Sequence, residues 1–192
     1  MPTTDLHGSA PDTNETALLL VDVINPLDFP EADQLLRFAV PMADRLAALK
    51  KKAMAASVPV IYANDNFGRW RSDLSAVVKL CLEPGCKGRP VCEKLRPEPD
   101  DYFVLKPKHS AFYSTALDLL LQHLGTRTLV IGGVAADICV LFTANDAYMR
   151  DFRVVVPADG VASNTAEVVT TALDQMRRVL KCRTPDSDRI EF

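Results

Sequence analysis

The sequence predicts a three-layer α/β/α domain built on a mostly parallel sheet of five or six strands. Two observations carry this. Short, continuously apolar runs recur along the chain, as strands buried on both faces require. Between them lie helical stretches of ten residues or more, the spacing of βαβ units. The composition agrees: 192 residues, 48% hydrophobic and 24% charged, describe one soluble globular domain.

Residues 1–16 are polar and read as a flexible tail, leaving 17–192 as a single domain. The run Ala17-Leu18-Leu19-Leu20-Val21-Asp22-Val23 is the first strand, closed by a carboxylate and a turn at Asn25 and Pro26. Residues 31–57 form a helix with Leu35, Leu36, Ala39, Met42, Ala43, Leu46 and Leu49 on one broad face. Pro41 predicts that this helix starts near it or is two pieces. Residues 58–63 are the second strand and 103–105 a shorter third. Leu117, Leu120, Leu121 and Leu124 mark a helix that Ser114 or Thr115 caps and Gly125 stops. Residues 128–131 form the fourth strand, 137–151 a helix, 153–156 the fifth strand and 165–177 the final helix. Residues 179–182 are a candidate sixth, edge strand. Residues 64–102 stand out as a long irregular stretch, with a helical piece at 72–82 and then a polar part rich in Pro, Lys and Arg. A loop of that length in a compact domain is read as a lid or substrate loop.

Composition also excludes function classes. Lys plus Arg is 22 against 25 for Asp plus Glu, a formal charge of −3, so no positive field exists for nucleic acid or an anionic membrane. No apolar run is long enough to span a bilayer, and the first residues lack a leader's apolar region. The five cysteines, an odd number, fit free thiols in a reducing cytoplasm. His7, His109 and His123 are far apart, which disfavours a His-rich zinc site. A cysteine–histidine dyad would need His109 or His123 to face Cys139.

In an open parallel sheet, ligands bind beyond the carboxyl ends of the strands. Those ends carry Asp22, then Asn64-Asp65-Asn66, then Lys106, then Gly132-Gly133-Val134-Ala135-Ala136-Asp137-Ile138-Cys139. A carboxylate, an amine and a thiol therefore converge on one edge. Cys139 follows a strand-to-helix turn, where the helix N-terminus and a nearby Lys106 would lower a thiol pKa. It is otherwise a small hydrophobe packing helix on sheet. Asp22 is either a turn cap or a general base for a thiol. Lys106 is either a surface lysine or its partner, and Lys108 a solvated lysine or an anion contact.

Together, Asp22 in Leu-Leu-Val-Asp-Val, Lys106 in Lys-Pro-Lys-His-Ser-Ala-Phe and Cys139 in Gly-Gly-Val-Ala-Ala-Asp-Ile-Cys-Val resemble the isochorismatase-like hydrolase family. The block continues as Cys-Val-Leu-Phe-Thr-Ala-Asn-Asp-Ala-Tyr, and the resemblance spans about 17–182. It implies a cysteine hydrolase of the amidohydrolase branch, with an Asp22–Lys106–Cys139 triad and a thioester intermediate. It further implies a cis peptide between Val134 and Ala135 that aims the Ala135 N–H, with that of Cys139, into an oxyanion hole. The substrate would be a small amide, imide or ureido compound, no cofactor is implied, and the family's habit implies a homodimer or homotetramer.

Metal-dependent nicotinamidases in this family place histidines after the second strand. Here that segment is Asp65-Asn66-Phe67, with no histidine between His7 and His109, so no metal is expected. Isochorismatases that cleave a vinyl ether lack the cysteine. Such chemistry by Asp22 and Lys106 is the first alternative, and a non-catalytic binding or assembly member is the second. Candidate pocket residues are Phe29, Asn64, Phe67, Trp70, Tyr113 and Val134, whose aromatics otherwise pack the lid onto the domain. Arg69, Arg71, Lys87 and Arg89 are solvated lid charges or contacts to an anionic substrate. Cys81, Cys86 and Cys92 are spaced too loosely for a metal site and read as loop thiols, and Cys182 as structural.

Overall fold

A computed structural model describes residues 13–65 and 73–192. Six strands form one sheet: β1 Thr16–Val21, β2 Val60–Asp65, β3 Tyr102–Lys106, β4 Thr128–Val134, β5 Arg153–Val155 and β6 Val161–Ala162. The order is β3-β2-β1-β4-β5, with β6 paired to β4, and every pairing is parallel. The strand order reverses between β1 and β4. Their carboxyl ends therefore border the crevice where open sheets bind ligands.

Alternate side chains of β1 go to opposite layers, as a period of two demands. Leu18 and Leu20 join the core under α1 (Ala32–Ala55), α2 (Leu74–Cys81) and α3 (Arg89–Lys94). Ala17, Leu19 and Val21 join the core under α4 (Leu117–Leu124), α5 (Leu141–Tyr148) and α6 (Ala166–Leu180). Both faces are covered, which is why these strands are apolar throughout.

Four expectations change. First, α1 is one uninterrupted helix despite Pro41. Pro41 is exposed, so the carbonyl it leaves unbonded lies on the water side, while Leu35, Ala39, Met42, Leu46 and Leu49 hold the opposite face in the core. Second, residues 179–182 are not a strand. The apolar spacing Ala172, Leu173, Met176, Leu180 carries α6 through Leu180, and Lys181 ends it in the left-handed region at φ 56°. The sixth strand is β6 instead, and Arg183 bridges to the sheet edge, at Val155.

Third, the polar half of the 64–102 stretch contains a helix, α3, with Val91 and Cys92 buried. Leu74, Val77, Cys81, Val91, Cys92 and Leu95 all belong to the α1-side core. Periodicity over six residues is too short to announce such a helix. Fourth, Cys81 and Cys92 are therefore buried core residues on helices, and Cys86 alone of the three is partly accessible. All five cysteines are free thiols. Among the described residues, no helix is long and apolar enough to cross a membrane.

Candidate active site

Each site residue is delivered by the end of a strand. Asp22 follows β1 directly, and its N–H donates to the Ala63 carbonyl at 2.9 Å. It turns the chain at φ 51°, a left-handed conformation that Asp tolerates better than most side chains. Lys106 is the last residue of β3, and Asp65 the last of β2. After β4 the chain passes Gly133 at φ 126°, where a Cβ would lie 2.0 Å from the Val21 carbonyl oxygen. Only glycine lets β4 approach β1 this closely. The Val134–Ala135 peptide is cis. A wide π-type turn, Ala136–Val140, then carries Cys139 before α5 begins at Leu141. Ser163 donates to the Asp137 carboxylate at 2.6 Å and so ties that turn to the segment after β6.

Lys106 is fully buried, at 0% exposure, so its ammonium must be paired. Its Nζ lies 2.8 Å from Asp22 Oδ2, 3.5 Å from Cys139 Sγ and 3.9 Å from Asp65 Oδ2, and it donates to the Lys108 carbonyl at 3.2 Å. Asp22 Oδ1 accepts the Asp65 N–H at 2.7 Å, and its carboxylate is near enough to Cys139 to raise the thiol pKa. The fold thus brings Asp22, Lys106 and Cys139 into direct contact.

The electrostatics correct one expectation. Burial raises the Asp22 carboxyl above its ordinary value, against the pull of the Lys106 ammonium. Burial opposes the Lys106 charge, but the neighbouring Asp22 carboxylate and Cys139 sulfur outweigh it and hold its pKa above the lysine norm. Cys139 is not a low-pKa thiol. Burial and the Asp22 charge push it up to about 12, and Lys106 only partly compensates. The expected effect of the helix terminus and lysine is overridden because the sulfur shares its pocket with a carboxylate.

The other candidates are placed as follows. Ala135 and Cys139 are half-buried, and Val134 is buried. Asn64 is fully buried, its Nδ2 donating to the Ile24 carbonyl at 2.6 Å and its Oδ1 without a partner. Phe29 and Tyr113 are exposed. Phe67, Trp70, Arg69 and Arg71 lie outside the described residues. Lys87 pairs with Asp33 at 3.0 Å and Arg89 with Glu93 at 2.6 Å, so both are tied on the surface. Of the two histidines weighed, His109 lies with Nδ1 3.9 Å from the Cys139 sulfur, whereas His123 is exposed in the last turn of α4. Sequence reasoning gave no role to Thr143, which is buried and accepts the Ala111 N–H at 3.0 Å, anchoring the strand-three loop to α5. Its position four residues past Cys139 was the available signal. Among the described residues, no group of three or more His, Cys, Asp or Glu side chains is arranged to hold a metal ion.

Known proteins resemble this chain over most of its length. YaaI of Bacillus subtilis (strain 168), described as an uncharacterized isochorismatase family protein, is 39% identical over 176 residues, covering 92% of this chain and 96% of that protein. The ureidoacrylate amidohydrolase RutB of Methylorubrum extorquens (strain AM1) is 29% identical over 77% of this chain and 70% of its own. The crystal structure of N-carbamoylsarcosine amidase from Thermoplasma acidophilum superposes with a TM-score of 0.70 at 29% identity, covering 93% of this chain and all of that one. The isochorismatase domain model matches residues 16–186. The chain belongs to the isochorismatase family of hydrolases.

Proposed function

We propose that this protein is a cysteine hydrolase that cleaves a C–N bond of a small amide, imide or ureido compound through a thioester. The observation that carries the reading is the position of the Lys106 ammonium, in contact with both Asp22 and the Cys139 sulfur. Two similar proteins are named for ureido or carbamoyl substrates, which supports that bond type.

At rest the thiol is neutral, so a standing thiolate is not the attacking species. Asp22 accepts the thiol proton as the sulfur–carbon bond forms, and its raised pKa makes it a stronger base than an ordinary carboxylate. The N–H groups of Ala135 and Cys139 receive the oxyanion. The C–N bond breaks, the amine departs with the proton from Asp22, and a thioester remains. Asp22 then takes a proton from water, hydroxide oxygen adds to the thioester carbonyl, and the acid leaves as the thiol is re-formed. Lys106 orients the carboxylate and offsets negative charge on sulfur, and it stays protonated throughout. Phe29, Tyr113, Val134 and Asn64 are the proposed pocket walls, with Phe67 and Trp70 in the adjoining segment. Self-association into a dimer or tetramer is part of this reading, and light scattering showing a strict monomer would refute it.

The test is a panel of small amides and ureido compounds, with ammonia release and intact mass as readouts. An acyl adduct on Cys139 that disappears in Cys139→Ala supports the reading. Full turnover by Cys139→Ala sinks it, and isochorismate turnover surviving that substitution would point to ether hydrolysis by Asp22 and Lys106.

A further inference from the structure

We propose that His109 is a second hydrogen-bond donor to the reacting sulfur, so that Cys139 is activated from two sides. The proposal rests on Cys139 being the nucleophile. Its basis is placement. His109 Nδ1 lies 3.9 Å from Cys139 Sγ, within reach of a hydrogen bond to sulfur. The imidazole leans on the Phe142 ring, centroids 5.5 Å apart and tilted by 48°. Phe142 sits three residues after Cys139, in the first turn of α5. Its ring is 52% exposed, and holding the imidazole gives that exposed aromatic a use.

The short loop that carries His109 is pinned on both sides. Lys106 Nζ donates to the Lys108 carbonyl at 3.2 Å, and the Ala111 N–H donates to Thr143 Oγ1 at 3.0 Å. His109 therefore reaches the sulfur from a held backbone, although the residue itself is exposed. In the proposed mechanism the thiol proton goes to Asp22, which leaves the sulfur's lone pairs to other donors. An imidazole facing those lone pairs does so by donating from Nδ1–H. Lys106 already serves Asp22, Lys108 and the sulfur together, and the carboxylate takes the shortest of the three contacts. A donor from the solvent side adds stabilisation as charge develops on sulfur, in acylation and again when the thioester collapses.

The experiment measures alkylation of Cys139 by iodoacetamide at pH 8 in the full chain, with the Cys139 peptide identified by mass so that Cys86 does not contribute. A hydrogen bond to a charged acceptor, weakened here by length and exposure, predicts alkylation about three- to tenfold slower in His109→Leu. His109→Asn restores the rate to within about twofold, because its amide N–H falls near the position of Nδ1. Wild-type alkylation in His109→Leu overturns the proposal, and so does equal slowing by Leu and Asn. Should His109→Leu lose its cooperative melt, Phe142→Leu decides instead: it releases the imidazole without altering it, so slowing supports the proposal and an unchanged rate overturns it. With an amide that is turned over, His109→Leu lowers kcat, and a change confined to KM makes His109 a substrate contact and refutes the donor role. Turnover by Cys139→Ala would refute the nucleophile reading itself, whatever the His109 variants do.

Discussion

Lys106 holds its ammonium 2.8 Å from Asp22 Oδ2 while fully buried, and both residues reach Cys139. The pair sets the charge state around the sulfur. Asp22 raises the thiol pKa and Lys106 lowers it, with burial the largest influence. Asp22 therefore opposes the thiolate at rest, and in the proposed mechanism it serves by accepting and returning protons.

Asp22→Asn should consequently separate reactivity from catalysis. With the carboxylate charge removed, the Cys139 pKa falls from about 12, and iodoacetamide alkylates the residue faster at pH 8–9 than in the wild type. Amide turnover falls by about 10²–10⁴-fold, the usual contribution of a general base. Slower alkylation together with lost turnover would contradict this account of the thiol's environment.

The raised thiol pKa also predicts how stability varies with pH. An unfolded thiol ionises near 8.5, whereas folded Cys139 keeps its proton to about 12. Between these values the native state binds more protons than the unfolded state, so stability falls as pH rises. Cys139→Ser removes that proton, and its unfolding free energy should decline between pH 9 and 11 less steeply by about 1.4 kcal/mol per pH unit. Urea unfolding at pH 9, 10 and 11 measures the slopes, and parallel curves would refute the assignment. Cys182, raised to about 11, contributes in the same direction in both proteins and cancels.

Gly133→Ala tests the close approach of β4 to β1. The added Cβ would fall 2.0 Å from the Val21 carbonyl oxygen, at a backbone φ of +126°. A loss above about 3 kcal/mol, or no soluble protein, is expected from strain and overlap combined. Gly85→Ala is the control, since φ there is +85° but the space is open, and it should cost only about 1–2 kcal/mol. Similar melting temperatures for the two variants would argue against the proximity of these strands.

Pro41→Ala should stabilise the protein. Pro41 lies inside α1 with no N–H for the Arg37 carbonyl, and a proline in a helix interior is disfavoured by about 3 kcal/mol relative to Ala. The solvent-side position relieves part of that cost, so a gain of about 1–2 kcal/mol by denaturant titration is expected. A lower midpoint would mean that α1 depends on a bend at Pro41.

Local pattern was enough for most of the architecture. The apolar runs around Leu19, Ile61 and Val130 announced parallel strands because both faces of such strands are buried, and β1, β2 and β4 lie there. The spacing of Leu35, Ala39, Met42, Leu46 and Leu49 announced α1, whose length needed the knowledge that Pro41 faces water. Asp22, Lys106 and Cys139 were legible as strand-end residues, since a parallel sheet gathers such ends on one edge. Tertiary structure decided what depends on distance and dielectric. It chose His109 over His123 as the neighbour of the sulfur, placed Cys81 and Cys92 in the core, and moved the sixth strand to Val161–Ala162. It also reversed the direction of the Cys139 pKa, because burial beside a carboxylate is a property of the folded pocket that no spacing along the chain encodes.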